Sequence, residues 1–239
     1  MLYVALLIGI VLIVSTTKLT EAYKLSSNWE LLGHIAAALV IIIVGKLEVS
    51  YINQIYGGNI ELGYLTIPIT LLFLVSFTNV MNIKKVQSST LLLLSCISLI
   101  CFSLSAYIID ISFVEIMGIC ASLIIILILI YGYFSGKMFA GRTLTNSIGF
   151  IIAVLSVSLI KMSIVMIYIP IFTLALPLTI YNFIQNKTTS GHSLASSSLI
   201  AILFGLLIFI APSYILWYLI VGFTITLIIM QFSSKYRFI

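Results

Sequence analysis

Charge is what this sequence has least of. Only 7% of its 239 residues are Asp, Glu, Lys or Arg, against 62% hydrophobic, and the mean hydropathy is +1.31. That balance excludes a soluble domain, because most of a folded surface must still face water. Aspartate is scarcer still. Asp110 is the single one, which excludes a pair of aspartates converging on a hard divalent cation. The three cysteines, Cys96, Cys101 and Cys120, lie in apolar runs at no metal-ligand spacing, so they read as inert buried thiols. A basic n-region and a small-residue cleavage site are also lacking, so Leu2–Thr17 reads as a retained helix and not a signal peptide. There is no inverted internal repeat to point to a secondary transporter. The apolar runs hold almost no ionisable residues, where a transport pathway needs some.

What is present is a series of apolar runs of about 18–23 residues, which means a polytopic helical membrane protein. The expected fold is all-α, a single integral membrane domain over residues 1–239 with no soluble domain at either end. Nine spans are expected: Leu2–Thr17, Trp29–Val44, Leu65–Ile83, Leu91–Ile109, Phe113–Phe134, Asn146–Ile160, Ile164–Phe183, and two more flanking Ala211-Pro212-Ser213. Pro170 and Pro177 should bend the seventh. Between the second and third spans, Gly45–Gly63 carries β-branched and aromatic residues on both sides of Gly57-Gly58, which predicts a small extracellular β-hairpin.

The net charge of +5 has a topological meaning here and does not point to nucleic acid. Counting loops alternately, one side carries Lys18, Lys24, Lys84, Lys85, Lys137, Arg142, Lys187, Lys235 and Arg237, and the other only Lys46 and Lys161. The excess of positive charge marks the cytoplasmic side. The N-terminus then lies outside and the C-terminus in the cytoplasm. Glu48, Glu61, Asp110 and Glu115 fall outside, leaving Glu21 and Glu30 within. Tyr64, Tyr107, Tyr214 and Trp217, near span ends, fit an interfacial aromatic belt.

The chain is organised around Thr66–Thr90, an apolar helix that ends on Asn79, Asn82 and Lys84-Lys85. An amide at such a helix end needs a partner or water, so this tip reads as the floor of a polar site at one membrane face. Asn79 and Asn82 either cap the helix and bond across helices or contact a ligand. His192, in the loop Gln185–Ser196, is either a solvated loop residue or a ligand contact.

In order and spacing, three segments resemble the polyprenyl-phosphate N-acetylhexosamine-1-phosphate transferases. They are LLGHIAAALVIIIVG (Leu31–Gly45), GGNIELGYLTIPITLLFLVSFTNVMN (Gly57–Asn82) and GKMFAGRTLTNSIGFIIAVLS (Gly136–Ser156). The likeness runs from about Leu12 to the last span, without the family's usual first two helices. It implies a bacterial inner-membrane enzyme that moves a sugar phosphate from a UDP-sugar onto a lipid phosphate with magnesium, in cell-envelope polysaccharide synthesis. The departures fall on the chemistry. The family's N-x-x-N-x-x-D-G-x-D-G keeps Asn79 and Asn82 but has Lys85 and Ser88 at its aspartates. Its Asp-Asp pair falls on Thr20 and Glu21, and its inner-loop aspartate on Arg142. Its P-x-x-D becomes Pro177-Leu178-Thr179-Ile180, and of its histidine motif only His192 remains.

Two anions must meet in that reaction, and magnesium held by carboxylates neutralises them. Cations at ligand positions repel the metal by several kcal/mol even at an effective dielectric of about 20. No catalytic residue and no metal ligand is therefore expected. The cations Lys84, Lys85, Lys137 and Arg142 either fix topology or, with Asn79, Asn82 and His192, bind a phosphate. The expected function is a non-catalytic homologue that binds polyprenyl phosphate or another anionic lipid, working beside an active transferase. The rivals are an active transferase with a rebuilt magnesium site and a small transporter or lipid flippase.

Overall fold

The computed structural model describes residues 1–53, 59–81, 88–135, 141–161, 164–185 and 190–232. Long apolar runs with few breakers fold as helices, despite their many Ile and Val residues, because a helix satisfies its backbone groups internally, as hydrocarbon requires. The helices are α1 (Leu2–Ala22), α2 (Ser27–Ile43), α3 (Thr66–Val80), α4 (Ser88–Ile109), α5 (Ser112–Ser135), α6 (Arg142–Ile160), α7 (Tyr168–Pro170), α8 (Leu176–Gln185), α9 (Ser190–Ile210) and α10 (Ser213–Phe232). Four stretches, Leu2–Ala22, Ser89–Ile109, Ser112–Ser135 and Arg142–Ile160, are long and apolar enough to cross a membrane. Shorter apolar stretches are Asn28–Ile43, Gly63–Asn79, Tyr168–Tyr181, Ser196–Ile210 and Tyr214–Thr226.

Between α2 and α3, strands β1 (Tyr51–Asn53) and β2 (Asn59–Glu61) pair antiparallel in the register Tyr51 to Glu61. The Gly57-Gly58 turn expected between them lies outside the described residues. The Val49 N–H donates to Thr70 Oγ at 3.0 Å, which ties the segment leading into β1 to α3.

The centre of the bundle is α6. Ile148, Ile152, Leu155 and Leu159 pack on one side with Leu92, Leu99, Phe102, Val114 and Leu178 from α4, α5 and α8. On the other side, Phe150, Ala153, Val154 and Val157 pack with Leu6, Ile13, Ala38, Ile41 and Leu74 from α1, α2 and α3. A third cluster joins Tyr168, Phe172 and Leu176 to Leu216 of α10. Hydroxyls inside these helices turn back on their own backbone. Thr70, Thr78, Ser95, Ser156 and Thr173 each donate to the carbonyl four residues earlier at 2.6–2.7 Å, so they cost little in an apolar setting.

Close approach of α3 to α6 depends on a missing side chain. A Cβ on Gly149 would stand 2.8 Å from Met81 Cγ and 3.0 Å from the Thr78 carbonyl oxygen. Gly149→Val is expected to destabilise the protein by about 1–3 kcal/mol, read as a lower unfolding midpoint of the purified protein in nanodiscs. Gly222→Val, whose added carbon meets nothing within 4 Å, should leave the midpoint close to wild type.

Two details differ from the sequence expectation. The stretch expected as the seventh span is helical throughout but broken more finely than a simple bend. It runs as a 3-10 turn (Ile164–Ile167), the short α7, a wide π turn (Ile171–Ala175) and α8. Each irregular piece lies beside a proline, Pro170 or Pro177, whose missing N–H interrupts the regular ladder. Cys96 and Cys101 are buried, but Cys120 is exposed on the outer face of α5. The lone aspartate also has a structural use. Asp110 adopts φ 63° between α4 and α5, as Lys24 and Lys46 adopt φ 51° and 52° after α1 and α2. The Leu25 and Ile111 amides then reach back to Thr20 and Ala106 carbonyls, the left-handed closure that glycine more often supplies.

Candidate functional site

The site is built from four helix ends. Asn79 is at the C-terminal end of α3, Arg142 opens α6, Glu30 is in the first turn of α2, and Thr17 lies near the end of α1. An acidic residue in the first turn of α2 suits the positive end of its dipole, whereas a cation in the first turn of α6 does not. The two solve each other's problem, because Arg142 Nη2 forms an ion pair with Glu30 Oε2. Glu30 is 2% exposed and Arg142 31%. The pair is therefore closed to water on the carboxylate side and open on the guanidinium side. The other Glu30 oxygen accepts from the Asn146 amide, which also reaches Thr17 Oγ at 3.4 Å. This network fastens α1, α2 and α6 together at one end.

One turn further along α2 is His34, within electrostatic reach of Glu30 and Arg142, with Asn79 of α3 beside it. Among the described residues neither ring nitrogen of His34 has a partner, and Arg142 Nε is likewise buried and unpaired.

Of the residues singled out in the sequence, the structure brings Asn79 and Arg142 to this end of the bundle. Asn82, Lys84, Lys85 and Lys137 lie outside the described residues, as does the His192 side chain. Arg142 is not a free cation of a phosphate cluster, since one face of its guanidinium is occupied by Glu30. Glu30, in the first turn of α2, is buried. Glu30, His34, Asn146 and Thr17 were missed. The available signal was Glu30 and His34 four apart on an otherwise apolar helix, the spacing that puts both on one face.

The resemblance implies magnesium, and the donor set among the described residues at this end of the bundle does not fit it. Among the described residues no three or more His, Cys, Asp or Glu side chains gather where they could hold a metal ion. Glu30 is taken by Arg142 and Asn146. Asp110 sits at the far end of α4, about 30 Å from its start at 1.5 Å per residue.

The family described as glycosyl transferase family 4 matches residues 3–160. The chain belongs to that family. It is similar to a probable undecaprenyl-phosphate N-acetylglucosaminyl 1-phosphate transferase of Bacillus subtilis (strain 168), at 26% identity over 180 residues, 73% of this chain and 49% of the relative. The chain thus spans about half the length of that relative. Family membership and the apolar helices make it a multi-pass membrane protein. The family match ends at Ile160, the last residue of α6. Every element of the polar network falls inside it, and His192 falls beyond it.

Proposed function

We propose that this family 4 protein binds polyprenyl phosphate, or another anionic lipid, at the inner mouth of its bundle without transferring a sugar phosphate. The observation that carries this reading is the Glu30–Arg142 ion pair. Where the resemblance calls for a metal-binding aspartate there is a guanidinium, and the nearest buried carboxylate is already neutralised by it. A guanidinium with one face still exposed is suited to a phosphate oxygen, as a point of charge-assisted hydrogen bonding. Asn79, Asn82, Lys84, Lys85, Lys137, Arg142 and His192 are the proposed lipid-phosphate contacts. The protein is a single membrane domain of nine spans in the bacterial inner membrane, with its N-terminus outside and its C-terminus in the cytoplasm. It acts beside an active transferase in cell-envelope polysaccharide synthesis.

The similarity to a transferase of Bacillus subtilis favours a second reading, an active sugar-1-phosphate transferase with magnesium held by other groups. One experiment separates the two. Purified protein in nanodiscs is given UDP-N-acetylglucosamine, undecaprenyl phosphate and magnesium, and UMP release is followed. Native mass spectrometry in parallel scores retained lipid. Retained polyprenyl phosphate with no UMP above the protein-free background is the expected result. Magnesium-dependent UMP release over many turnovers would establish the enzyme instead.

A further inference from the structure

We propose that the end of the bundle opposite Arg142 holds a second binding site, one for a small organic cation with two ammonium groups. The site is a cavity of about 440 Å³ formed by the residues just before β1, the end of β2 and the start of α3, and lined by Glu48, Ser50, Glu61, Tyr64, Thr66 and Ile67. It lies at the other end of α3 from Asn79, about 20 Å away at 1.5 Å per residue. It therefore shares no residue with the lipid-phosphate reading and does not depend on it. Besides the two acids, the mark of this site is Thr66. That residue is 8% exposed and lines the cavity, yet its hydroxyl has no hydrogen-bond partner among the described residues. Thr70 and Thr78 on the same helix each donate to the carbonyl four residues earlier. For Thr66 that carbonyl belongs to Leu62 and already accepts from the Leu65 amide. A buried hydroxyl left unpaired costs free energy, which a ligand in the cavity recovers.

Electrostatics select a cation. Glu48 is half-buried and Glu61 exposed, and neither has an ion-pair partner among the described residues. Lys46, two residues before Glu48, is exposed and pairs with neither. The Ser50 hydroxyl reaches Glu48 Oε1 only at 3.5 Å, so the charge of both carboxylates stays unmatched. Size then decides between a metal and an organic ion. A hard divalent ion takes about six to eight oxygens at about 2.3–2.6 Å, and among the described residues no three His, Cys, Asp or Glu side chains gather to hold one. A water molecule takes about 30 Å³, so a cavity of about 440 Å³ has the room of an organic-ligand pocket, which begins at about 300 Å³. Two carboxylates, one before the hairpin and one at its end, match a molecule with an ammonium group at each end. The Ser50 and Thr66 hydroxyls accept from the remaining ammonium N–H groups. The fully exposed ring of Tyr64 offers its face to the same charge.

The test uses the full chain in phosphatidylcholine nanodiscs, with empty nanodiscs as the baseline. The probes for calorimetry are 1,4-diaminobutane, butylamine, 1,4-butanediol and calcium chloride. Wild type should bind diaminobutane, bind butylamine at least about tenfold more weakly, and not bind butanediol. The double variant Glu48→Gln with Glu61→Gln should weaken diaminobutane binding by roughly tenfold or more, because the charge-assisted bonds are lost. Thr66→Val, which keeps the shape without the hydroxyl, should weaken it by roughly threefold to tenfold. The unfolding midpoint of each variant, expected at the wild-type value because neither breaks an ion pair, shows that the fold is intact. A second measurement reads wild type itself. In protein with 13C-labelled threonine methyls, the Thr66 signal, assigned as the one lost in Thr66→Val, should shift with diaminobutane and not with butanediol. Unchanged affinity in the folded double variant, or an unmoved Thr66 signal at saturating diaminobutane, overturns the site, as does a wild type that gives no heat beyond empty nanodiscs. Butylamine that binds as tightly as the diamine, or calcium that binds more tightly than it, overturns the two-ammonium assignment.

Discussion

Replacing Arg142 by methionine is expected to lower stability by about 3 kcal/mol, at the lower end of what breaking a buried ion pair costs. The lower end applies because Arg142 is 31% exposed and water can partly take its place, while Glu30 at 2% has no such recourse. Methionine keeps the length of the stem but leaves a carboxylate with only the Asn146 amide for company. Adding Glu30→Gln to the same chain should recover most of the loss, since the uncompensated charge is then gone. The measurement is the unfolding midpoint and slope in denaturant for wild type, Arg142→Met and the double variant in identical nanodiscs. A single variant as stable as wild type would mean that the pair contributes nothing to holding α2 against α6.

The second large effect separates folding from binding at the same two positions. The double variant Glu30→Gln with Arg142→Gln replaces an ion pair by two amides that can hydrogen-bond to each other. Exchanging a buried pair for a neutral pair of similar size is often close to neutral for stability. Its unfolding midpoint is therefore expected near wild type. Its affinity for a lipid phosphate should fall by roughly tenfold or more, because the charge-assisted bond from the guanidinium is lost. Calorimetry with farnesyl monophosphate reads the second quantity. If affinity is unchanged while the fold is intact, Arg142 serves only to hold helices together. Reversing the charge at Arg142 alone would not give this answer, because a new carboxylate beside Glu30 would unfold the site before binding could be read.

Helix positions were legible from hydropathy because the runs are long and their breaks are marked. Lys18–Asn28 and Ala211-Pro212-Ser213 both interrupt the apolar pattern, and helix ends fall within a few residues of these marks. The ends themselves shifted inward over the loops. Helix α1 continues to Ala22 and α6 begins at Arg142, so Lys18, Glu21 and Arg142 are helical where a loop was expected. Hydropathy cannot see this, since a polar final turn lowers the average as a loop does. The candidate site was legible only at its rim. Asn79 stands out as an amide ending an apolar run, whereas Glu30 and His34 look like entry residues of a helix and Asn146 like an ordinary first-turn residue. Their partnership spans 116 residues between Glu30 and Asn146, and only the packing of α2 on α1 and of α1 on α6 brings them together.

The wide turn at Ile171–Ala175 has a consequence for how the chain tolerates insertions and deletions. Such a turn holds one residue more than a regular helix needs. Deleting one residue there lets the backbone tighten into ordinary geometry while the face of α8 that carries Leu178 and Tyr181 keeps its direction. The same deletion inside α6 would rotate everything beyond it by about 100° and take the buried faces on both sides out of register. The helix at the centre of the bundle is thus the least editable part of the molecule in length, and the proline-flanked turn beside it is the most forgiving.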